Sequence, residues 1–179
     1  TMTPAELRSR FGIAMQNDFL YAGTIEDNIR FGREIAHDRV VHAATMAQAH
    51  EFISKLADGY DHKLTVKGTN LSGGQKQRLL IARALAGNPD ILVLDDASSA
   101  LDYKTDVALR RALREDAEAK GEHITTTVIV AQRVSSIKHA DLILVMDKGA
   151  VIGCGTHDEL VASCPIYNEI AESQMGGAI

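Results

Sequence analysis

Short apolar runs separated by helical patterns organise the chain. Runs at Phe11–Met15, Ile91–Asp95, Thr126–Ala131 and Leu142–Asp147 predict strands, and Val151–Cys154 predicts a hairpin partner for the last of them. Apolar strands of this length with helices between them favour right-handed crossovers and a parallel sheet. The sequence therefore predicts an α/β fold in which a parallel sheet is flanked by helices.

Helix-spaced apolar residues fill the regions between these strands. They predict helices within Thr24–Phe31, within Asp38–Leu56 and over roughly Lys104–Lys120, the last of which is charged and amphipathic. The region from Gly32 to Gly68 has no predicted strand, and we interpret it as a helical insertion into the α/β fold.

Capping residues indicate where other helices begin. The box T-x-x-E occurs at Thr3 and at Thr156, and each threonine can accept a hydrogen bond from the amide three residues later. Ser72 predicts the start of a helix that runs through Ala86 and ends at Gly87-Asn88-Pro89. The chain is therefore expected to have a short N-terminal helix, a helix behind a glycine pair and a helical C-terminal segment.

Composition and charge narrow the class of protein. The 179 residues suit one domain with its own core, and a net charge of -5 argues against a sequence-independent nucleic-acid binder, which needs a basic surface. The apolar runs are shorter than the ~18 residues that a membrane span requires, and no secretory segment opens the chain. Cys154 and Cys164 lack metal-binding spacing, so we interpret them as reduced, partly buried thiols of a cytosolic protein.

The segment NLSGGQKQRLLIARAL carries the most specific motif. Ser72, Gly73 and Gly74 precede a helix, where unshielded backbone amides and the helix dipole favour an anion. A glycine turn with a serine cap would explain SGG alone, but the complete string resembles the signature segment of ATP-binding cassette (ABC) proteins. The resemblance implies that these three residues bind an ATP phosphate held by a partner subunit and that Gln75 supports the turn.

A second segment, ILVLDDASSALD, ends an apolar run with two acids. It resembles the Walker B strand of the ABC family and the loop that follows it. The resemblance implies that Asp95 helps to hold Mg²⁺, that position 96 polarises the attacking water, and that Asp102 lies in a nucleotide-site loop that crosses to the partner subunit. A solvated acidic pair at a strand end is the alternative, and the signature upstream argues against it.

Two further segments resemble the same family. In IAMQNDFLYAGTIEDNIRFG, Gln16 matches the glutamine-loop residue, which in the family contacts the metal and the water and senses the transmembrane domain. In VIVAQRVSSIKHADLILVMDKG, Gln132 occupies the switch position, where the family normally has histidine. We interpret His139 and His157, which lie elsewhere, as surface histidines.

The resemblance implies a P-loop NTPase-like sheet with a helical signature subdomain at about residues 20–88, and with core strands and C-terminal helices in residues 1–19 and 89–179.

The phosphate loop G-x-x-x-x-G-K-[ST] is missing, since Gly-Lys occurs nowhere in the sequence. We therefore interpret the chain as the C-terminal part of a cassette, in which ATP and Mg²⁺ are cofactors of the full-length ATPase and the chain alone is inactive. Without the phosphate-loop strand, strands such as Ile91–Asp95 are expected to have unpaired backbone groups, which would lead to self-association, strand exchange or an irregular sheet.

The acid at position 96 is an aspartate where the family usually has glutamate. Its carboxylate lies about 1.5 Å further back, and a misplacement of ~1 Å can cost on the order of a hundredfold in rate. Gln132 can hydrogen-bond a γ-phosphate but cannot become cationic or shuttle protons. Together Asp96 and Gln132 predict an impaired catalytic site beside an intact signature, as in the degenerate half of heterodimeric exporters.

The exporter resemblance also predicts partners and location. LYAGTIEDNIRFG and the ending GTHDEL are typical of multidrug-type exporters, so the expected partners are a transmembrane domain of the same transporter and a second, different nucleotide-binding domain, at the cytoplasmic face of the cell membrane and without nucleic acid. Two alternatives stay open: a slow but competent homodimeric exporter ATPase, and, from another class, a soluble ABC protein that acts on DNA or ribosomes or is a purely regulatory module. Six upstream apolar spans of about 20 residues each in the parent gene would decide for an exporter.

Overall fold

The computed structural model describes residues 2–16, 18–97, 99–119 and 125–175. The chain forms two compact units, Thr1–Val130 and Ala131–Ile179. The strands are β1 Phe11–Ala14, β2 Gly23–Thr24, β3 Lys63–Leu64, β4 Ile91–Asp95, β5 Thr126–Val130, β6 Ile143–Asp147 and β7 Ala150–Gly155. The helices are α1 Pro4–Ser9, α2 Ile25–Arg30, α3 His37–Met46, α4 His50–Ser54, α5 Gly73–Ala86, α6 Tyr103–Ala119, α7 His157–Ser163 and α8 Pro165–Met175.

Strand β4 lies in the middle of a parallel sheet of order β1-β4-β5. Leu92 and Leu94 face the helices and are buried, while Ile91 and Val93 on the other face are half-buried. The predicted α/β fold with a parallel sheet and flanking helices is confirmed. The expectation that Ile91–Asp95 has unpaired edges is wrong, because β1 and β5 pair with it along both sides.

Helix α5 packs closely on β1, and a glycine makes this approach possible. A Cβ at Gly12 would lie 2.3 Å from the carbonyl oxygen of Ala84 in α5, a distance that real side chains do not tolerate. The buried helix residues Leu79, Ile81 and Ala82 are 0% exposed and belong to the core of the first unit. Helix α5 is therefore held rigidly against the sheet whose strand ends carry the predicted acids.

One face of the sheet is apolar and exposed. Ile13 and Val128 flank Val93 in register and are 44% and 46% exposed, and Val130 at the end of β5 is 52% exposed. Within the described part of the chain, β5 pairs only with β4, so its outer edge presents unpaired backbone groups. Another chain could therefore pair at an edge of this sheet, such as that of β5, but not with the central strand β4.

We expect the 179-residue chain to self-associate through this face and the edge of β5. Val128→Lys places a charge on the face and should weaken the association by about tenfold or more, because a lysine on an edge strand opposes strand pairing. Ala119→Lys, which adds the same charge at the exposed end of α6, is the control. Sedimentation velocity over a concentration series measures the self-association of both variants. A monomer at all concentrations, or equal effects of the two lysines, would contradict the prediction.

The region Gly32 to Gly68, predicted to lack strands, contains one. Strand β3 pairs antiparallel with β2 over two residues on each strand. The amide of Ile25 donates to the carbonyl of His62 at 3.1 Å, and Leu64 is buried. A strand of two residues leaves no alternating pattern in the sequence, which explains why periodicity did not predict it.

The predicted helical region Asp38–Leu56 is divided between α3 and α4. Gln48 separates them with a φ of 59°, a left-handed conformation that ends α3. Its side-chain amide donates to the carbonyls of Thr45 and Met46 at 3.4 and 3.2 Å, which satisfies groups at the end of α3. The apolar spacing continues across this break, so the sequence pattern did not reveal it.

The second unit pairs the predicted hairpin of β6 and β7 with helices α7 and α8 around its own small core. The two cysteines are free, but neither is partly buried, since Cys154 is exposed and Cys164 is buried in this core. His139 is exposed as predicted. His157 is half-buried because its Nδ1 lies 2.9 Å from the hydroxyl of Tyr167 in α8, so the surface interpretation was wrong for this histidine. None of the described helices is long and apolar enough to cross a membrane.

Candidate functional site

The two acids lie where β4 ends. Asp95 is the last residue of the strand and pairs with Val130. Asp96 leaves the strand with a φ of 48°, yet its amide still donates to the carbonyl of Val130 at 2.9 Å. A left-handed aspartate is tolerated more readily than a bulky residue, and it turns the chain sharply after the strand. The sheet therefore places both carboxylates at its carboxyl edge, where ligands bind in open α/β folds.

Gln16 and Asp96, 80 positions apart, meet at this edge. The side-chain amide of Gln16 donates to a carboxylate oxygen of Asp96 at 3.0 Å. They are adjacent because β1 and β4 are parallel neighbours, so the residues just past their carboxyl ends lie side by side. The structure thus brings together two of the three predicted catalytic residues. One oxygen of the short carboxylate accepts a hydrogen bond from a neutral amide.

The loop after Asp96 returns to the helices and ends at Asp102. The amide and hydroxyl of Ser99 both bond to the carbonyl of Asp96, at 3.1 and 2.8 Å. Ala97 and Leu101 anchor the loop in the core. Asp102 caps α6, since its carboxylate accepts from the amide of Thr105 at 2.9 Å and from the hydroxyl at 2.8 Å.

This capping geometry affects the charge of Asp102. The hydrogen bond from the backbone amide of Thr105, followed by that from its hydroxyl, lowers the pKa of the exposed carboxyl group below its ordinary value. The carboxylate is therefore ionised at neutral pH and held in place by its own helix. Its predicted role towards a partner subunit stays a prediction.

The signature residues form the N-terminus of α5. Ser72 accepts from the amide of Gln75 at 3.2 Å, and the side-chain oxygen of Gln75 accepts from the amide of Ser72 at 2.9 Å. This reciprocal capping box fixes the turn, as expected for Gln75. The amides of Gly73 and Gly74 belong to the first helical turn, which provides no acceptors of its own.

The two glycines differ in their surroundings. A Cβ at Gly73 would meet nothing within 4 Å, whereas a Cβ at Gly74 would lie 3.2 Å from the carbonyl oxygen of Ala100. The signature turn therefore packs against the loop that follows the paired acids. Gly73 faces open space, and Gly74 is confined by its own chain.

Gln132 lies in the second unit and is exposed. Its backbone carbonyl accepts from the side-chain amide of Gln174 at 2.8 Å, while the other atom of that amide accepts from the amide of Val134 at 2.8 Å. Gln174 on α8 thus holds the segment that carries Gln132. Sequence reasoning missed this residue, because the bond spans 42 positions and no local pattern signals it.

Sequence reasoning also missed Arg83 and Asn28. Arg83 is 5% exposed and donates to the carbonyls of Asn28 and Phe19 and to the side chain of Asn28. Asn28 is itself 3% exposed. The available signal was an arginine set among the apolar residues of IARAL, since arginine is almost never fully buried without partners.

The residues present fit only part of a magnesium-nucleotide site. Carboxylate and amide oxygens, such as those of Asp95 and Gln16, are the ligands that Mg²⁺ takes, usually together with phosphate oxygens. Among the described residues, no group of three or more His, Cys, Asp or Glu side chains is arranged to hold a metal. A metal ion here would therefore depend on oxygens from a nucleotide, and the backbone cradle for its phosphates is not in this sequence.

Comparison with known proteins shows the family of this chain. The ABC transporter family model matches residues 2–99. An uncharacterized ABC transporter ATP-binding protein of Bacillus subtilis, YknU, is 48% identical over 169 residues, which are 94% of this chain and 28% of that protein. A putative multidrug export ATP-binding/permease protein of Staphylococcus aureus is 45% identical over 169 residues, with the same shares covered.

A solved structure shows the same fold. The structure of a bacterial Atm1-family ABC exporter with ATP bound superimposes with a TM-score of 0.87 at 38% identity, over 97% of this chain and 30% of that one. This chain has a parallel sheet with acids at a strand end, beside a helix that begins with two glycines. The chain belongs to the ABC transporter family. It spans less than a third of the length of the relatives it matches.

Proposed function

We propose that this chain is part of the nucleotide-binding domain of an ABC exporter, with an impaired catalytic site of its own and a signature that acts on ATP bound by a second domain. ATP and Mg²⁺ would be bound by the complete domain, at the cytoplasmic face of a membrane, and a transmembrane domain of the same transporter would be driven by it. The names of the Bacillus and Staphylococcus relatives and of the Atm1-family exporter support the exporter class.

The hydrogen bond from Gln16 to Asp96 is the observation that carries the proposal of an impaired site. A general base must reach the proton that it removes. The aspartate is one methylene shorter than a glutamate. Its backbone amide donates to the carbonyl of Val130, and one of its carboxylate oxygens accepts from Gln16 at 3.0 Å. These three features favour a carboxylate that orders the loop over one that activates water.

Gln132 supports the same proposal from the switch position. Its amide can donate to a γ-phosphate but cannot carry a positive charge or relay a proton. Asp95 and Gln16 would still supply oxygens to a Mg²⁺ ion that bridges the phosphates of a bound nucleotide. The site would therefore hold ATP for long periods and hydrolyse it slowly.

We expect Asp96→Glu combined with Gln132→His to raise turnover at this site in the assembled transporter. Glutamate restores the reach of the base, which can be worth on the order of a hundredfold for ~1 Å of misplacement, and histidine restores a group that can become cationic. The two single changes should together raise turnover by less than the double change does, because the effects of groups that act on one water are not additive. Steady-state ATPase, with the partner's own site inactivated, measures the gain.

The matched control is Asp96→Asn, which keeps the length of the side chain and the acceptor for Gln16 but removes the charge. It should lower turnover only slightly. If the double variant gains nothing while ATP occupies both sites, the proposal that these two residues limit hydrolysis is wrong.

A competent homodimeric exporter ATPase is the second candidate, because an aspartate can sometimes act as the base. The effect of Asp96→Asn separates the two candidates, since a homodimer would lose nearly all its activity.

A further inference from the structure

A buried arginine connects the signature helix to the loop that follows the glutamine-loop residue. Arg83 lies on α5, and its guanidinium donates to the carbonyl of Phe19 at 3.0 Å and to the carbonyl and side-chain oxygen of Asn28 at 2.9 and 3.2 Å. The carboxylate of Asp18, two positions beyond Gln16, lies 3.7 Å from the same group. The planar guanidinium thus donates in three directions, to the loop at Phe19 and to Asn28 on α2.

Asn28 extends this connection along the loop. Its side-chain oxygen also accepts from the amide of Tyr21 at 2.8 Å, and its side-chain amide donates to the carbonyls of Tyr21 and Thr24, both at 3.0 Å. Arg83 and Asn28 together therefore fix the backbone of the loop at Phe19, Tyr21 and Thr24. Each of these bonds is partly or fully shielded from water, where hydrogen bonds to a charged group are strongest.

Aromatic rings cover the guanidinium on its open side. The ring centroid of Phe31 lies 4.5 Å from the guanidinium carbon of Arg83, and that of Tyr21 lies 5.6 Å away. Phe31 adopts a φ of 52°, an unfavourable conformation for a bulky residue, and in this conformation its ring lies over the cation. Burial lowers the pKa of Arg83, and the nearby Asp18 counteracts this shift. The charge is therefore stabilised by one carboxylate, three carbonyl-type oxygens and two ring faces.

We propose that Arg83 is a positioning residue, which ties the loop Asp18–Tyr21 to the helix that begins with the signature. Arg83 lies on α5, whose N-cap is Ser72, and 11 residues at about 1.5 Å each separate the two by roughly 16 Å. A movement of the loop next to Gln16 is thereby transmitted to the signature turn through a rigid element. The positioning role itself does not rest on the proposed function. Only its expected effect on ATPase kinetics does.

Arg83→Lys tests the role because lysine keeps the charge but loses the planar fork and the ring stacking. Hydrogen exchange by mass spectrometry on the 179-residue chain should show peptides that cover residues 18–24 exchanging at least about tenfold faster. Peptides from β4 should be unchanged. Exchange that is unchanged at residues 18–24, or accelerated equally in β4, overturns the proposal.

Arg78→Lys is the matched control on the same helix. Arg78 also donates to a carbonyl, that of Gln48 at 2.7 Å, and lies 4.8 Å from the ring centroid of Phe52, but it makes these contacts away from the loop. It should leave exchange at residues 18–24 unchanged, and an equal effect of both lysines overturns the proposal. If Arg83→Lys does not fold, Phe31→Leu serves instead, since it removes one ring from the guanidinium and should accelerate the same peptides by about threefold.

The kinetic arm uses the assembled transporter. Arg83→Lys should lower kcat for ATP by about tenfold while KM stays within about twofold, because a positioning residue affects the chemical step rather than nucleotide binding. A raised KM with unchanged kcat overturns the positioning role. If the unmodified transporter itself shows no ATPase activity, the proposed function fails, whereas the exchange result still stands on the chain alone.

Discussion

Gly74→Asp should abolish most of the ATPase activity of the assembled transporter, even though Gly74 contributes nothing to the phosphate loop that binds the hydrolysed ATP. The backbone amides at the start of α5 are expected to donate to the γ-phosphate on the partner domain. A side chain at Gly74 keeps the amide but blocks its close approach to the phosphate. Losing one such donor in a closed site costs about 2.7–4 kcal/mol, or on the order of 10²–10³-fold in rate. An aspartate at this position also brings a negative charge to the phosphate.

The local geometry requires a control for an effect within the chain itself. A Cβ at Gly74 would lie 3.2 Å from the carbonyl of Ala100, so even alanine there must displace the loop by a few tenths of an ångström. Gly74→Ala measures that displacement and should cost less than about tenfold, since a shift this small is accommodated by the exposed loop. Gly73→Ala, which meets nothing within 4 Å in its own chain, reports contacts made by a partner alone.

Steady-state ATPase of the three glycine variants, compared with Asp96→Asn, decides the assignment. The proposal requires Gly74→Asp to be far more damaging than Asp96→Asn. If Asp96→Asn is the more damaging, this chain carries the active catalytic site and the homodimeric reading replaces the heterodimeric one. If Gly74→Ala matches Gly74→Asp, the loss comes from the loop at Ala100 and not from the phosphate.

The sequence predicted those parts of the molecule that depend on neighbouring residues. The capping boxes at Thr3 and Thr156 were predicted from residues three positions apart, and both are formed. Ser72 was predicted to cap α5, and it does so in a reciprocal box with Gln75. The parallel sheet and the extent of α5 were also predictable, because hydrophobic periodicity and helix-end signals depend on residues close together in the sequence. The candidate acids were placed at the end of β4 by the apolar run that precedes them.

The contacts that define the site were not predictable in the same way. The bond between Gln16 and Asp96 depends on which strands are neighbours in the sheet, a property of topology that no local pattern encodes. The same holds for the links from Arg83 to Phe19 and from Gln174 to Gln132, which join residues 64 and 42 positions apart. The order β1-β4-β5 also corrected the expectation about β4, because β1 occupies the edge that was thought to be open.

The isolated 179-residue chain should bind Mg-ATP with a dissociation constant weaker than about 1 mM. Complete nucleotide sites of micromolar affinity gain about 8.2 kcal/mol, and millimolar binding gains about 4.1 kcal/mol, so the expected loss is about a thousandfold. The reason is chemical. Asp95 and Gln16 offer oxygens to a metal, but the side-chain amide of Gln16 donates to Asp96. The sequence contains no G-x-x-x-x-G-K-[ST] loop to supply donors to the phosphates.

The start of α5 is not expected to replace the missing donors. The amides at Gly73 and Gly74 could donate to a phosphate, but they are expected to act on ATP bound by another domain. A longer protein that carries the same 179 residues behind a phosphate loop should bind Mg-ATP in the micromolar range, and replacing the lysine of that loop by alanine should remove the gain. Calorimetric titration compares the three proteins, with magnesium and with a chelator. Micromolar, magnesium-dependent binding by the 179-residue chain would mean that Asp95, Gln16 and the signature turn form a nucleotide site by themselves, and the assignment of the signature to a partner's ATP would then be wrong.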